Sequence, residues 1–539
     1  MKSWLAKLFG GKAPSSSIEG FPIPWEAHRQ SIYHFLSPYA KGEQPLPDDA
    51  QTLPDENRQE GELRWSSGAM DGVFGHHTST NTEAEIADNL ISAISAVLRH
   101  SDLDSVRKMY SLLLEHSPMG YIDILMEKIP QSPGISAERL NELTVWLATE
   151  SPDRNAVKCA IALLGFFPSE KTQSLVSTLG LHEEFTLFSA VALCNILAPE
   201  FQEEALVGLA KRVVGWGRIQ LIERLPDEVT KPTQDWLLRE GYSNSVMVEY
   251  TAYECATKGK LLFALTAESP DSDLLLGVGD ILSALAMGGP ARDMYDYADG
   301  AQACRRYLIS LGHYSGDDLR HLLNINQIGE FARSESNNWD ALTTLGWNHE
   351  LRQEITERVD LLLAQPKWRE KVNADLQVAE GKLSYSTIYA ARLLNIDPWD
   401  TIFAHQAASV SAPEDNWYQL MQTDNPERIA RIISLAEVQI DLAAIATGPD
   451  DKMGIGPEYR QHGALDFILQ GLKRFPGMGW SLIKTGLRSP VVRNRHMALN
   501  AIESWTKEQR TEELEEMLKE AYQKEPNEEV RNRLKGMIK

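Results

Sequence analysis

Four short segments of this chain share a pattern that restricts the fold: a proline is followed eight and twelve positions later by apolar residues. The segments begin at Ser151-Pro152, Ser269-Pro270, Ser489-Pro490 and Glu525-Pro526. The apolar pairs are Ala160/Leu164, Val278/Leu282, Ala498/Ile502 and Leu534/Ile538. Proline suits the first turn of a helix, where its missing N–H is not needed, and offsets of eight and twelve lie on one helical face. Each segment is therefore predicted to be a helix that opens at the proline and buries one face against a neighbour.

The distances between these segments indicate a repeat. The prolines are separated by 118, 220 and 36 residues, each close to a multiple of roughly 36–40, which is the range of helical-pair repeats. Between them, amphipathic segments follow one another with short polar or Pro/Gly breaks, and alternating strand patterns are almost absent. The sequence predicts an all-α fold, a right-handed α-solenoid of HEAT-like or armadillo-like helical hairpin repeats.

Changes in composition divide the chain into three predicted regions. Residues 1–64 are proline-rich and irregular, with one short helix predicted from Trp25 to Leu36. Residues 65–82 form a glycine-rich loop, and residues 83–539 form the solenoid. Thr82 and Glu85 fit a capping box at the start of the first solenoid helix.

Length and charge exclude several classes of protein. A chain of 539 residues is too long for one ordinary core. Its 53 Lys and Arg against 76 Asp and Glu give a net charge of −23, which repels phosphate backbones, so nucleic-acid binding is not expected. No apolar run is long enough to cross a membrane, and the four cysteines are widely spaced, so a cytoplasmic location is predicted. Residues 1–12 are interpreted as a frayed terminus or, alternatively, a weak membrane-surface helix.

Three stretches do not fit the repeat pattern: residues 66–77, 288–306 and 449–463. Loops carry function more often than the helices that they join. Together with an unusual Gly-Trp-Gly-Arg cluster, these stretches supply the predicted ligand-binding or partner-binding residues. They are Asp71, His76, His77, Trp216, Arg218, Tyr295, Tyr297, Arg305, Tyr459, Arg460 and His462.

Each candidate also has a purely structural interpretation. His76 and His77 with Asp71 are compatible with a metal ion, but adjacent histidines rarely ligate the same ion, so an ordinary loop pair is favoured. Arg305 can clamp an anion bidentately or form a salt bridge between helices. The glycines on either side of Trp216 permit a sharp turn or a close approach of the backbone.

Familiar catalytic motifs are missing. Gly277-Val278-Gly279 lacks the third glycine of a dinucleotide fingerprint, and no G-x-x-x-x-G-K-[ST] phosphate loop occurs. No G-x-S-x-G elbow is present, and no cysteine has the sequence setting of a haem thiolate ligand. The sequence predicts no catalytic residue, no metal and no cofactor.

Part of the chain resembles a bacterial family of helical-repeat proteins that often carry the label "limonene hydroxylase". The resemblance is carried by residues 215–219, 223–225, 236–241, 244–247, 249–250 and 255–256, which read GWGRI, ERL, WLLREG, NSVM, EY and CA. The label implies an enzyme, and the resemblance extends over much of the chain beyond the N-terminal segment. The unit from Ser489 to Ile502 also resembles a HEAT repeat, a helical-pair family built for protein contacts.

These observations favour a non-catalytic scaffold or adaptor that holds a protein or peptide along its concave face. The net charge favours a basic partner segment. The alternative is an enzyme of unknown reaction on the same scaffold. It would use the loops around His76, Tyr295 and Tyr459, provided that they converge in space.

Overall fold

The computed structural model describes residues 20–56, 67–69, 81–266, 270–377, 383–408 and 416–538. The all-α prediction is confirmed, because helix accounts for 69% of the structure and no strand occurs in these residues. Lys452 and Val491 form an isolated parallel β-bridge.

The chain folds into two compact units. Of the described residues, 20–56, 67–69, 81–266 and 270–365 belong to the first unit, and 366–377, 383–408 and 416–538 belong to the second. The helices described in the first unit are α1 (Ile32–Leu36), α2 (Asn81–His100), α3 (Leu103–Glu115), α4 (Pro118–Lys128), α5 (Ala137–Glu150), α6 (Arg154–Leu164), α7 (Glu170–Leu179), α8 (Glu183–Ile196), α9 (Pro199–Ala210), α10 (Trp216–Glu223), α11 (Lys231–Trp236), α12 (Glu249–Lys258), α13 (Leu261–Ala264), α14 (Ser272–Met287), α15 (Gly300–His313), α16 (Leu319–Arg333), α17 (Trp339–Thr344) and α18 (His349–Leu363).

The helices described in the second unit are shorter on average. They are α19 (Pro366–Leu376), α20 (Tyr385–Leu393), α21 (Trp399–Ala408), α22 (Trp417–Leu420), α23 (Pro426–Gln439), α24 (Leu442–Ile445), α25 (Arg460–Leu472), α26 (Trp480–Leu487), α27 (Val492–Glu503), α28 (Glu512–Lys524) and α29 (Glu528–Met537). Helix α11 continues into one π-helical turn, Leu237–Gly241, and short 3-10 turns occur elsewhere.

In the first unit, the even-numbered helices from α2 to α18 form a series in which each packs against the next. In the second unit, α25 packs against α27, and α27 packs against α29. The apolar faces predicted from the sequence form these contacts. Of the eight paired positions, all except Ile538 are buried. Burial of those faces is the main favourable contribution to the packing.

The four prolines were predicted to lie inside the first turn of their helices, and this prediction was wrong. Each proline lies immediately before the N-cap residue rather than inside the first turn: α6, α14, α27 and α29 have Asp153, Asp271, Val491 and Asn527 at the N-cap. The Asp271 and Asn527 side chains accept hydrogen bonds from Leu274 N and Val530 N. Asp153 and Val491 make no side-chain cap hydrogen bond. In all four helices the N-cap backbone is extended, so the helix begins only after that residue and the proline stays outside it.

Two other predicted helix starts also differ. Asn81 is already helical, so Thr82 lies inside α2 and is not its N-cap. Helix α1 begins at Ile32 rather than near Trp25, because Ser31 takes the extended N-cap conformation and accepts a hydrogen bond from His34 N. Trp25 instead packs its ring on Tyr110, at 4.8 Å between centroids, and on Trp146, at 5.2 Å.

Residues 20–56 are held on the first unit by ion pairs as well as by aromatic packing. Arg29 bonds to both carboxylate oxygens of Asp153, at 2.9 and 2.6 Å. Arg154 makes the same two-point contact with Asp55, at 2.9 Å for each bond. Because two parallel N–H···O bonds fix orientation as well as distance, this segment has a defined path on the helices.

Next to this attachment, a nearly buried ion pair contributes pH-dependent stability. Lys158 Nζ lies 2.7 Å from Glu184 Oε1, and the two side chains are 5% and 14% exposed. Burial opposes the charge of Glu184, but the cations of Lys158 and Arg154 together with the Gly68 N–H outweigh it and lower its pKa to about 2. The carboxylate therefore remains charged in the folded state well below the pH at which an exposed glutamate is protonated.

We expect this pair to stabilise the first unit above the ordinary glutamate pKa of 4.5 and to lose its contribution as the pH falls toward 2. The contribution is up to about 3 kcal/mol, from the difference between the two pKa values. Urea unfolding of the Glu184→Gln variant should show less loss of stability between pH 5 and pH 2.5 than the wild type. Glu200→Gln, at an exposed position on α9, is the matched control. Equal pH profiles for the wild type and Glu184→Gln would contradict this assignment.

Candidate functional site

The predicted site residues are distributed over both units and over residues outside the described part of the chain. Asp71, His76 and His77 lie outside the described residues. Trp216, Arg218, Tyr295, Tyr297 and Arg305 belong to the first unit, and Tyr459, Arg460 and His462 belong to the second. Convergence of the three loops therefore stays a prediction.

Trp216 is the first residue of α10, and its surroundings explain the two glycines beside it. The Glu183 carboxylate accepts hydrogen bonds from Val214 N, Gly215 N and Gly217 N at 3.0, 2.6 and 3.1 Å. A Cβ on Gly215 would lie 2.5 Å from Glu183 Oε2, so the close approach predicted for this cluster is present. The carboxylate satisfies N–H groups that the start of a helix leaves free.

Arg218, two residues further along α10, joins segments of backbone. Its Nε donates to Ala210 O at 3.1 Å and to Val213 O at 2.8 Å, and one Nη donates to Ser243 O at 2.7 Å. Burial lowers the pKa of the guanidinium, partly opposed by the negative charge of Glu183. These contacts assign Arg218 to the support of the segment before α10 and of the loop before α12.

Of the candidate residues in the 288–306 stretch, two make contacts that hold the fold together and one lines a cleft. Arg305 Nε donates to Glu354 Oε2 at 2.8 Å, so the salt bridge between helices, α15 and α18, is the interpretation that holds. Tyr295 accepts a hydrogen bond from Asn338 N at 2.9 Å, which ties this loop to the start of α17. Tyr297 is 4% exposed and lines a cleft.

In the second unit, His462 takes part in a buried polar network. Its Nδ1 lies 3.1 Å from both Ser489 Oγ and Asn494 Oδ1, and Asn494 Nδ2 donates to His462 O at 2.9 Å. Burial lowers the pKa of His462, so the ring is neutral at pH 7. Tyr459 packs on the same ring at 5.6 Å, and Arg460 is exposed. This network joins α25 to the start of α27.

The cleft lined by Tyr297 is the strongest candidate for a binding site. It has a volume of about 530 Å³, within the usual range for ligand pockets, and we call it the Phe263 cleft. Its apolar wall is formed by Tyr253, Ala256, Leu262, Phe263 and Tyr297, and its polar rim includes Lys260, Asp296 and Asp299. The short helix α13 forms one side, and the turn before α15 forms the other.

The exposed aromatic group in this cleft is Phe263. Its side chain is 68% exposed, although it follows Leu261, which is fully buried at the start of the same short helix. Lys260 has a φ of +51°, a left-handed conformation that is unfavourable for lysine. The resulting sharp change of direction between α12 and α13 places Phe263 at the mouth of the cleft.

Negative charge predominates at the rim. Asp296 and Asp299 are exposed, and the carboxylate of Asp296 accepts a hydrogen bond from Asp293 N at 3.0 Å. The pKa of Tyr297 is raised above its ordinary value, chiefly by burial and further by the nearby charge of Asp299, so its hydroxyl stays protonated. The positive charge of Lys260 is partly offset by Glu228, with Nζ 2.6 Å from Oε2. A cation is therefore the ligand charge that this rim favours.

The cleft also shows what sequence reasoning missed. The 288–306 stretch was selected for its tyrosines and aspartates, and it supplies Tyr297, Asp296 and Asp299 to one side. The opposite side, from Tyr253 to Phe263, contains none of the predicted site residues. The usable indication was Gly259-Lys260, which interrupts the apolar sequence three residues before Phe263.

Three further observations concern membrane spans, metal clusters and similarity to known proteins. None of the helices in the described residues is long and apolar enough to span a membrane. Within the same residues, no three or more His, Cys, Asp or Glu side chains are grouped so that they could hold a metal ion. Comparison of the chain with protein-family models, curated proteins and solved structures finds no match in any of the three.

Proposed function

We propose that this chain is a non-catalytic scaffold or adaptor of the cytoplasm, an α-solenoid of HEAT-like or armadillo-like helix pairs, that binds a basic segment of a protein partner. The packing of alternate helices in series within each unit supports the repeat architecture, since stacked helical pairs bury one another's apolar faces. All four cysteines are free, which supports a reducing compartment.

The observation that carries the binding role is the Phe263 cleft. It combines an exposed aromatic side chain with the carboxylates of Asp296 and Asp299 on a chain of net charge −23. Long-range attraction accelerates the encounter with a basic segment, and the apolar wall adds short-range burial after docking. The binding of a basic peptide therefore uses both features of the cleft.

We expect a fluorescent peptide of mixed arginine, lysine and leucine to bind the full-length protein with an affinity that falls as salt is added. Fluorescence anisotropy across a salt series measures this dependence, and the same peptide with glutamine at every basic position measures binding without charge. Because exposed charge pairs are screened by ions, the dissociation constant of the basic peptide should rise several-fold between about 50 and 500 mM salt.

The double variant Asp296→Asn/Asp299→Asn locates that binding. Loss of two rim charges should weaken the basic peptide about fivefold to tenfold. Asp123→Asn removes one carboxylate from an exposed position on α4 of the same unit and should leave the affinity unchanged. The proposal fails if the glutamine peptide binds as tightly as the basic peptide, or if the double variant binds like the wild type.

A further inference from the structure

We propose that the Phe263 cleft selects arginine over lysine, by taking a guanidinium flat against the Phe263 ring while the rim carboxylates receive its N–H groups. This inference rests on the proposed binding of a basic segment and names the side chain that anchors it. It identifies the type of basic side chain that the cleft binds, which the net charge of the protein does not determine.

The first support is the surroundings of an arginine that belongs to this chain. Arg292 lies over the ring of Tyr253, at 3.9 Å from the centroid, and forms an ion pair with Glu254. Tyr253 is itself part of the cleft wall. One arginine, one aromatic ring and one carboxylate therefore form a complete unit at the border of the cleft.

The same combination recurs in the second unit. Arg431 lies 4.2 Å from the Phe403 centroid and pairs with Asp400 at 3.0 Å. In both cases the guanidinium covers an aromatic face while a carboxylate takes its N–H groups. Phe263 has an exposed ring and carboxylates at the same rim, and no cation of the described residues lies over that ring. The cleft thus contains two of the three parts, and a partner's arginine supplies the third.

The second support is the difference between the two cations. A guanidinium is planar and weakly hydrated, so it can lie on an aromatic ring and still direct N–H groups sideways to carboxylates. An ammonium group is compact and strongly hydrated, and it loses more hydration on entering an apolar cleft. Since Leu262, Ala256 and Tyr253 make the wall apolar, the cost of removing water favours arginine.

Lys260 affects the binding of any cation in the cleft, arginine and lysine alike. Its ammonium belongs to the cleft rim and pairs with Glu228, which is itself 80% exposed. An exposed pair of this kind compensates its charges only partly. The remaining positive charge opposes any cationic ligand, so its removal should strengthen binding of the arginine peptide.

The test uses three short alanine-based peptides that differ at two positions, which carry arginine, lysine or citrulline. Citrulline keeps the planar shape of arginine without its charge. Anisotropy with the full-length protein should show about tenfold tighter binding of the arginine peptide than of the lysine peptide, the size expected of one partly desolvated cation–π contact. The citrulline peptide should bind more weakly than either.

Two variants test the residues. Phe263→Leu keeps an apolar side chain and should abolish the preference for arginine while retaining salt-dependent binding of both basic peptides. Phe201→Leu, at a phenylalanine 58% exposed on α9, is the matched control and should keep the preference. Lys260→Asn removes the charge with a residue that accepts the left-handed conformation, and it should bind the arginine peptide more tightly than the wild type does.

The outcomes separate this inference from the proposed function. Equal binding of arginine and lysine peptides, or an unchanged preference in Phe263→Leu, overturns the arginine assignment and leaves the binding of basic segments intact. Failure of the mixed basic peptide to bind overturns both. Retention of the preference in Asp296→Asn/Asp299→Asn would show that the carboxylates do not receive the guanidinium, and it also contradicts the inference.

Discussion

Replacement of Arg495 with methionine is expected to lower the free energy of unfolding of the second unit by about 3–5 kcal/mol, the cost of breaking a buried ion pair. The side chains of Arg495 and Glu525 are 0% and 1% exposed, and two hydrogen bonds of 2.8 and 2.7 Å join them. The other Nη of Arg495 donates to Asp450 O, Ser489 O and Pro490 O. In the variant, the buried carboxylate of Glu525 has no cation beside it, and three backbone carbonyls lose their hydrogen-bond donor.

Urea unfolding monitored by circular dichroism measures this loss. Arg488→Met is the matched control, because Arg488 is 44% exposed and lies 3.5 Å from Glu520; its removal should change stability by less than about 1 kcal/mol. The double variant Arg495→Met/Glu525→Leu should recover part of the loss, since an apolar pair of similar volume needs no compensating charge. A loss for Arg495→Met no larger than that for Arg488→Met would contradict the assigned role.

The position of Arg495 also shows how far a sequence can be interpreted without coordinates. Arginine near the start of a helix does not favour the helix dipole, so the sequence alone predicts that Arg493 and Arg495 contact a neighbouring loop. The contacts of Arg495 with Asp450 and Pro490 confirm this, whereas Arg493 pairs with Asp466 on α25. The identity of the partner carboxylate, Glu525, was not predictable, because the contact joins residues 30 positions apart through tertiary packing.

Secondary structure was the most predictable level, because it depends on neighbours in the chain. The apolar period of the sequence predicts a helix from Val157 to Phe166, and α6 extends from Arg154 to Leu164. Helix starts were less predictable, since an N-cap requires a particular backbone conformation as well as a suitable residue type. For that reason the prolines were wrongly predicted to lie inside the first helical turn.

The candidate site was predictable on one side only. Tyr297 stood out because it belongs to a stretch that breaks the helical period. Phe263 did not, since an apolar residue at helical spacing is usually buried, and its 68% exposure results from the turn at Lys260. The composition of a segment can indicate that it is a loop, but which two segments form a cleft depends on packing between distant helices.

The glycines of Gly277-Val278-Gly279 have a structural role in helix packing. They lie within α14, where it packs against the π-helical turn on one side and against α15 and α16 on the other. A Cβ on Gly277 would stand 1.9 Å from Leu238 O, and a Cβ on Gly279 would stand 2.3 Å from Tyr307 Oη. Since protein interiors are close-packed, an added methyl group can enter only if a helix moves.

Gly277→Ala is therefore expected to destabilise the first unit by about 3 kcal/mol, the upper part of the usual range for overpacking. The atom that it meets belongs to backbone, which cannot move aside as a flexible side chain does. Helix propensity acts in the opposite direction, because alanine is favoured over glycine by about 1 kcal/mol in a helix interior, so the steric effect must exceed that gain. Thermal and urea unfolding measure the net change.

Gly208→Ala separates the two effects, because nothing lies within 4 Å of the Cβ position at this exposed site in α9. The same substitution should there stabilise the unit by up to about 1 kcal/mol. Opposite signs for the two variants would establish that α14 requires glycine for its close contact with the turn at Leu238. If both variants stabilise the protein, α14 and that turn are further apart than the structure places them, and the tight packing of α14 in the helix series is refuted.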